Sequence, residues 1–315
     1  MQHFYSALPQ HIVYNHHIEE QLALPNGWIA QRTGIQQRHE HSGGISELAI
    51  ESANKCLAAH HLDPMLIDTV LMATVTPDHP WPATACKVAH AIGAHNAWAL
   101  DISAACSGFV YALQLIQSLL KAGQSKRILL LTGDCMSSVV DPMDRNTRVL
   151  FGDACAASLW TNVPLIAIED VYLGCDGSGY QDIIVQGGGS ALRRSEIASF
   201  PRLHLEGSKV FKAAVKNIKK SVEIILQRNN LTLSEIDWFI PHQANMRIIE
   251  TLCEQMGLDN SKVLTNVEQR GNTTNASIPL CWSDHCSRIQ PGQRVLTASF
   301  GAGYTYGSAL LRTQS

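Results

Sequence analysis

The sequence predicts a layered α/β protein built from two similar halves. Apolar runs such as residues 69–75 and 127–132 alternate with longer segments rich in alanine and leucine. This alternation is typical of β-sheets covered by helices on both faces. Hydrophobic residues make up 45% of the 315 positions and charged residues only 16%, so the chain has ample material for a large interior.

An internal repeat indicates the two halves. The segment LDPMLID ends at Asp68 before the apolar run TVLMATV, and LTLSEID ends at Asp237 before WFIPH, 169 positions later. Likewise, KRILLLTGD and QRVLTASFG place Arg127 and Arg294 167 positions apart. A long period of this kind predicts tandem duplication. We therefore expect one half over residues 1–165 and a second over residues 166–315.

Each half shows the same predicted order of elements. A helix rich in alanine and leucine is followed by a strand, a helix that ends in glycine (KVAHAIG or ETLCEQMG), another strand, a buried helix and two final strands. The stretch at about 165–205 is less regular. Its glycine run, VQGGGSALRR, lacks the lysine and hydroxyl residue of a phosphate-binding loop, so we expect a surface loop there.

Composition excludes several classes of function. A formal net charge of −3 argues against nucleic-acid binding, which needs a basic surface. The nine cysteines are scattered without a CxxC pair, so we expect neither disulfides nor a metal site. The N-terminal residues do not resemble a secretion signal, and no apolar run is long enough to span a membrane. We expect a soluble protein of the cytoplasm that does not bind membranes.

Cys106 is the strongest candidate nucleophile. In DISAACSGFVYALQLI, an apolar strand ends, small residues turn the chain and the cysteine opens an apolar helix. A helix N-terminus favours the thiolate form, so the position predicts a lowered thiol pKa. The small neighbours Ala105, Ser107 and Gly108 leave room for a substrate carbonyl.

Two further polar residues follow predicted strands in the second half. His242 lies in IPHQANMRI, a setting that separates it from the other thirteen histidines, and Asn272 lies in the glycine-hinged turn RGNTTNASIP. Cys106 and Asn272 are 166 positions apart, so we expect them to occupy matching places in the repeat. The three residues combine a nucleophile, a proton-handling or hydrogen-bonding group and an amide donor.

These three motifs, together with WIAQRTGI and SFGAGYTYGSALLR, resemble the β-ketoacyl-acyl carrier protein synthase III group of the thiolase superfamily. The resemblance extends from about residue 9 to residue 312. It implies a thiolase-like, five-layered αβαβα sandwich that forms a homodimer. It also implies an acyltransferase without a cofactor. Such an enzyme joins an acyl-CoA primer to malonyl-acyl carrier protein by a decarboxylating Claisen condensation, and so initiates fatty acid synthesis.

The resemblance assigns roles to the catalytic residues. Cys106 accepts the acyl group, while His242 and Asn272 bind the malonyl thioester carbonyl and stabilise the enolate. The oxyanion hole consists of the backbone amides of Cys106 and Ala302, where glycine is common at the latter position. Asparagine in the third catalytic position points to the initiating branch of the superfamily; Asn275 is a rival, but the GNT turn matches the family at Asn272.

The resemblance also assigns binding residues. Those implied for coenzyme A are Trp28, Arg32, Arg145 and Asn245; a tryptophan packed beneath an exposed arginine is the simpler alternative for the first two. Those implied for the acyl pocket are Met136, Phe151 and Trp81, the last reaching into the partner subunit's pocket, and the bulk of Trp81 predicts a short, acetyl-like primer. Those expected to dock the acidic carrier protein are Lys212, Lys216 and Arg247, with Lys219 on the same helix face, although such stripes are usually only solvated surfaces.

Three alternatives stay open at this point. A synthase III relative in secondary metabolism would use the same three residues with another primer or acceptor. A cysteine hydrolase could also use cysteine, histidine and asparagine, but the CGSCW signature of papain-like enzymes is missing. A catalytically silent subunit of a condensing complex would be expected to have lost its nucleophile, whereas Cys106 is present.

Overall fold

Two larger β-sheets form the centre of the fold. The computed structural model describes residues 3–191 and 202–314. The first sheet has the strand order β1-β7-β6-β4-β5 and the second β11-β12-β13-β8. The strands of the first sheet are β1 (Tyr5–Ala7), β4 (Thr69–Ala73), β5 (Trp98–Ile102), β6 (Arg127–Asp134) and β7 (Ala154–Thr161). Those of the second are β8 (Ile166–Cys175), β11 (Trp238–Pro241), β12 (Arg294–Gly301) and β13 (Thr305–Thr313).

Helices cover both sheets and fill the space between them. The α-helices within the described residues are α1 (Asn15–Gln21), α2 (Trp28–Thr33), α3 (Ile45–Ala59), α4 (Thr84–Ala91), α5 (Gly108–Lys121), α6 (Gly207–Arg228), α7 (Met246–Met256), α8 (Val267–Arg270) and α9 (Ser277–Asp284). Two short antiparallel strand pairs lie outside these sheets, β2 (His11–Tyr14) with β3 (Gln37–Glu40) and β9 (Ile183–Val185) with β10 (Leu203–Leu205). None of the helices in the described ranges has the length and apolarity to cross a bilayer.

Alternation along the buried strands separates the layers. In β4, Val70 and Met72 pack with α3 and α4, whereas Leu71 points the other way, towards α5. In β13, Leu310 packs with α6, whereas Leu311 packs in the central cluster with α5 and α9. Successive side chains of a strand face opposite sides of the sheet, which explains this division. The layers therefore run α3/α4, sheet, α5/α9, sheet, α6/α7, and the predicted five-layered sandwich is confirmed.

The two sheets repeat the same pairing. Strand β4 runs parallel to β6, which is antiparallel to β7, and β11 runs parallel to β12, which is antiparallel to β13. The helices α4 and α7 are each followed by a glycine with a left-handed backbone, Gly93 (φ 81°) and Gly257 (φ 64°). Glycine ends a helix in this conformation without a steric penalty, as the sequence predicted for both segments.

The structure corrects the predicted match between Cys106 and Asn272. Short 3₁₀ turns precede α5 and α9, and each turn begins with a residue at φ 48°, Ala105 in one half and Thr274 in the other. The counterpart of Cys106 is therefore Asn275, and Asn272 lies three residues earlier. The expectation that Cys106 and Asn272 occupy matching places was wrong because Asn272 lies before the turn rather than within it.

The stretch at 165–205 is more regular than the sequence predicted. It contains β8, a ten-residue strand of the second sheet, together with β9 and β10, whose apolar side chains line the cavity that Cys106 also lines. The glycine run itself is a loop, with Gly188 and Gly189 exposed, as predicted. Its last residues, 192–194, lie outside the described residues.

Candidate active site

A cavity of ≈ 360 Å³ brings the three predicted catalytic residues together. Cys106 reaches it from the first half, and His242 and Asn272 reach it from the second. The rest of the lining is mostly apolar and comes from β9, β10, α6 and the segments that follow β6 and precede α7. A cavity with a few convergent polar groups in an apolar wall is the usual form of a small-molecule site.

Cys106 lies in the 3₁₀ turn Ala105–Ser107, between β5 and α5. The second half fixes this turn, because the Ser107 hydroxyl donates to the carbonyl oxygen of Thr305 (2.9 Å) and the Thr305 hydroxyl donates to that of Ala104 (3.0 Å). The thiol is therefore positioned close to a helix N-terminus, as the sequence predicted, by contacts that cross between the halves.

The prediction of a lowered thiol pKa is wrong. Burial raises the pKa of Cys106 to about 12, and the negative charge of Asp134 acts in the same direction. The cysteine's own backbone amide lowers the pKa, but desolvation outweighs it because the surrounding protein disfavours a charged sulfur. Cys106 is therefore a neutral thiol at physiological pH.

His242 directly follows β11 and is 4% exposed. Its backbone amide donates to the carbonyl oxygen of Ala298 (2.8 Å), which extends the pairing of β11 with β12 by one residue. Its Nδ1 lies 2.6 Å from the hydroxyl oxygen of Ser277. Burial lowers the pKa of His242 to about 4, so the imidazole is neutral and Nε2 is the ring nitrogen left to face a ligand.

Asn272 is joined to the first half through its backbone. Its amide donates to the carbonyl oxygen of Leu150 (2.9 Å), and its carbonyl oxygen accepts from the amide of Gly152 (3.0 Å). Its side-chain oxygen accepts from the amide of Thr274 (2.9 Å). Because the oxygen is engaged, the NH₂ group is the part of the side chain left to donate into the cavity.

Asn275, the rival asparagine, has a different role. Its Nδ2 donates to the carboxylate of Asp134 (2.8 Å), and the described lining of the cavity does not include it. Thr274 also donates its hydroxyl to Asp134. Asn272, rather than Asn275, is therefore the asparagine that lines the cavity.

Asp134 is a buried carboxylate that the sequence interpretation missed. It ends β6 and accepts from the Thr74 hydroxyl (2.9 Å) and the Thr76 hydroxyl (3.1 Å) of the first half, as well as from Thr274 and Asn275 of the second. An acidic residue at the end of the apolar run RILLLTGD was the available signal. Ser277 was also missed, because its contact with His242 spans 35 residues.

The two residues whose amides are predicted for the oxyanion hole, Cys106 and Ala302, line the same cavity. Ala302 lines the cavity and begins a 3₁₀ turn immediately after Gly301. A β-carbon at position 301 would lie 2.6 Å from the amide nitrogen of Cys106, so glycine permits the close approach of the two backbones. The contact places the segment that carries Ala302 next to the Cys106 amide.

The predicted acyl-pocket residues divide into two groups. Met136 and Phe151 line the cavity and belong to one buried apolar cluster with Leu203. Trp81 is 83% exposed and is not part of the lining that this single chain provides.

The predicted coenzyme A residues are also divided. Asn245 lines the cavity and caps α7, with its side-chain oxygen accepting from the amide of Arg247 (2.9 Å). The Arg32 guanidinium lies 4.6 Å from the ring centroid of Trp28, the packed arrangement foreseen as the simpler alternative. Arg32 and Arg145 are exposed, and the described cavity lining does not include Trp28, Arg32 or Arg145.

The predicted lysine stripe forms one wall of a surface groove. Lys212, Lys216 and Lys219 line this groove together with Phe211, which also lines the cavity. Arg247 is exposed in the first turn of α7, next to cavity-lining residues Asn245 and Ile248. The basic residues therefore adjoin the cavity.

The fold and site together define a condensing enzyme of the thiolase class. Residues 100–177 match the family model described as 3-oxoacyl-[acyl-carrier-protein (ACP)] synthase III, and residues 226–313 match the model of its C-terminal part. The chain is 40% identical to the β-ketoacyl-[acyl-carrier-protein] synthase III of Campylobacter curvus, over 98% of this chain and 94% of that protein. It belongs to the β-ketoacyl-acyl carrier protein synthase III family, which confirms the family and enzyme class predicted from the sequence.

Solved structures agree with this assignment. The 3-oxoacyl-(acyl carrier protein) synthase III of Pseudomonas aeruginosa superposes with a TM-score of 0.92 at 34% identity, covering 99% of this chain and 97% of that one. The priming β-ketosynthase of the R1128 polyketide biosynthetic pathway gives a TM-score of 0.91 at 29% identity, covering 99% and 95%. The thiolase-like fold is thereby confirmed, and the comparisons do not favour a cysteine hydrolase or a silent subunit.

Proposed function

We propose that the protein condenses a short acyl-CoA primer with malonyl-acyl carrier protein to give 3-oxoacyl-acyl carrier protein and carbon dioxide. The proposal rests on one observation: a thiol and two oriented, neutral hydrogen-bond donors line the same apolar cavity. A thiol can accept an acyl group, and neutral donors can stabilise an enolate without a cofactor.

Acyl transfer is the first half of the proposed reaction. The Cys106 sulfur forms a bond to the primer carbonyl, the carbon–sulfur bond to coenzyme A breaks, and the thiol proton leaves with the released coenzyme A. The tetrahedral oxyanion lies between the amides of Cys106 and Ala302. Because the resting thiol is neutral, deprotonation accompanies attack rather than preceding it.

Decarboxylation and condensation form the second half. The bond between the malonyl carboxylate and the central carbon breaks, carbon dioxide leaves, and the electron pair forms an enolate whose oxygen accepts from His242 Nε2 and Asn272 Nδ2. The enolate carbon then attacks the acyl-Cys106 thioester, and the sulfur leaves as a thiolate that takes up a proton. An apolar wall strengthens both donor interactions because it excludes competing water.

The carrier substrates approach from the surface that joins the cavity to the basic groove. We propose that Lys212, Lys216 and Arg247 contact the acidic carrier protein, because they are exposed beside residues that line the cavity. Trp28 and Arg32 offer a flat ring and a cation for a phosphorylated nucleotide, with Arg145 and Asn245 completing the coenzyme A contacts.

We further propose a cytoplasmic homodimer. Strand β5 is an edge strand of the first sheet, and its Trp98 and Leu100 are exposed apolar residues. An unpaired edge with apolar side chains is suited to pairing with a second copy. Such a dimer would also give the exposed Trp81 an apolar partner surface. Light scattering tests this, since W98E/L100E should convert a dimer to a monomer, and a monomeric wild type would contradict it.

One assay tests the proposed reaction. Purified protein is incubated with malonyl-acyl carrier protein and a panel of acyl-CoAs from two to ten carbons, and the carrier-bound products are resolved by mass. We expect 3-oxoacyl products from the short primers and none from C106A. The reaction is wrong if the wild type gives only free acid, as a hydrolase would, or no product; transfer to another acceptor would indicate secondary metabolism.

A further inference from the structure

Ser277 contacts the imidazole of His242 through a buried hydrogen bond. The hydroxyl lies at the first residue of α9, and its oxygen is 2.6 Å from His242 Nδ1. Ser277 is 1% exposed. The hydrogen bond is therefore sheltered from solvent on the side of the imidazole opposite Nε2.

The direction of this hydrogen bond follows from the partners available. Within residues 3–191 and 202–314, His242 Nδ1 is the one hydrogen-bond partner of the Ser277 hydroxyl. If Nδ1 carried the proton and donated to the serine, the buried hydroxyl proton would have no acceptor, and an unsatisfied buried donor is costly. The serine therefore donates, Nδ1 accepts, and the imidazole proton resides on Nε2.

We propose that Ser277 is a positioning residue that fixes His242 as the Nε2–H tautomer. The inference rests on the proposed function, and it assigns Ser277 to the decarboxylation half of the reaction rather than to acyl transfer. With the proton on Nε2, His242 donates to the enolate oxygen as charge develops there. With the proton on Nδ1, the Nε2 lone pair would face that oxygen and oppose the charge.

The neutral state of the ring strengthens the need for a fixed tautomer. Burial lowers the pKa of His242 to about 4, so a second ring proton is not available at neutral pH to supply the donor. Asn272 is likewise oriented by a hydrogen bond on the side away from the substrate. Its side-chain oxygen accepts from the Thr274 amide, and its NH₂ group remains to donate to the substrate. The segment from residue 272 to residue 277 therefore directs both donors into the cavity.

Partial reactions separate this role from general damage. S277A removes the hydroxyl, and S277T retains it as the matched control. We expect S277A to slow release of carbon dioxide from malonyl-acyl carrier protein at least about tenfold, with little change in KM and an unchanged rate of Cys106 acylation by acetyl-CoA. S277T should recover most of the decarboxylation. Equal loss in both partial reactions, or no loss in S277A, overturns the proposal.

A spectroscopic measurement tests the tautomer without relying on any serine variant. In ¹⁵N-histidine-labelled wild type, the resonances absent from H242N are assigned to His242. We expect a protonated, pyrrole-type Nε2 and an unprotonated, pyridine-type Nδ1 at pH 7. A protonated Nδ1 overturns the proposal. The NMR measurement reports the tautomer of His242 whether or not the protein catalyses condensation. A failure of the proposed function is therefore distinguishable from a failure of this inference.

Discussion

Gly301 and Cys106 are in direct backbone contact: a β-carbon at residue 301 would lie 2.6 Å from the Cys106 amide nitrogen and 3.0 Å from the Ala105 β-carbon. Strand β12 ends at Gly301 in the second half, and the nucleophile follows β5 in the first. This contact therefore sets the spacing between the two amides that we propose for the oxyanion hole.

We expect G301A to lower kcat for acyl transfer by about 10²-fold, because the new methyl group must displace the Cys106 amide from its position. The measurement is the rate of Cys106 acylation by acetyl-CoA, followed by intact mass. G177A is the matched control, since its β-carbon would meet nothing within 4 Å and Gly177 does not have a positive φ. Full activity in G301A would contradict the proposed oxyanion geometry.

The thiol of Cys106 should be alkylated slowly at neutral pH. Because burial raises its pKa to about 12, the thiolate fraction should increase about tenfold for each pH unit between 7 and 10. Iodoacetamide labelling followed by peptide mapping measures this rate, with C106A to identify the peptide. A rate that levels off near pH 8 would instead indicate a thiolate already formed in the resting protein.

Most helices and strands, and the candidate catalytic residues, could be predicted from the sequence because their signals are local. The apolar runs of β6 and β12 and the glycines after α4 and α7 each carry their own signal. The position of Cys106 before an apolar helix is equally local. These features need no knowledge of which segments meet.

Contacts between distant segments could not be predicted in this way. The raised thiol pKa depends on how deeply the folded protein buries Cys106, and a cysteine before a helix predicts the opposite shift when that burial is unknown. The Asp134 network joins residues 140 positions apart, and the pairing of β9 with β10 joins residues 18 to 22 positions apart. Ala105 and Thr274 occupy matching positions in the two halves, each with φ 48°. Their residue types differ, so the match is recognised only from the backbone conformation.

Stability should decrease on acidification because His242 is buried in its neutral form. Its folded pKa of about 4 lies below the ordinary value of 6.5, so the unfolded chain binds the proton first as pH falls. The contribution of His242 to the free energy of unfolding is fully present above pH 6.5 and decreases as the pH falls towards 4. By pH 5 the loss is roughly 2 kcal/mol.

Urea unfolding at pH 7.5 and pH 5 measures this effect, with H242Q as the variant that cannot titrate. We expect the pH dependence to be smaller in H242Q than in wild type by about the same 2 kcal/mol. His3, whose pKa burial also lowers to about 4, remains in both proteins and cancels in the comparison. Equal pH dependence in the two proteins would show that His242 does not account for it.

Charge reversal should identify the carrier-protein surface. We expect K212E/R247E to raise KM for malonyl-acyl carrier protein by about tenfold at low salt, with the rate of Cys106 acylation by acetyl-CoA unchanged. The effect should shrink as salt increases, because exposed charges are screened. K121E, an exposed lysine at the end of α5, is the control for the same charge change elsewhere. An unchanged KM would remove these residues from the docking surface.

The exposed Trp81 should restrict the primer through the partner subunit. We expect W81A to raise the specificity for hexanoyl-CoA relative to acetyl-CoA at least about tenfold, because removal of the indole leaves space for additional methylenes worth about 0.8 kcal/mol each. Competition between the two primers, read by product mass, gives the ratio directly. Y14A removes another exposed aromatic ring as the control. A wild type that already prefers primers of eight or more carbons would contradict a limit set by Trp81.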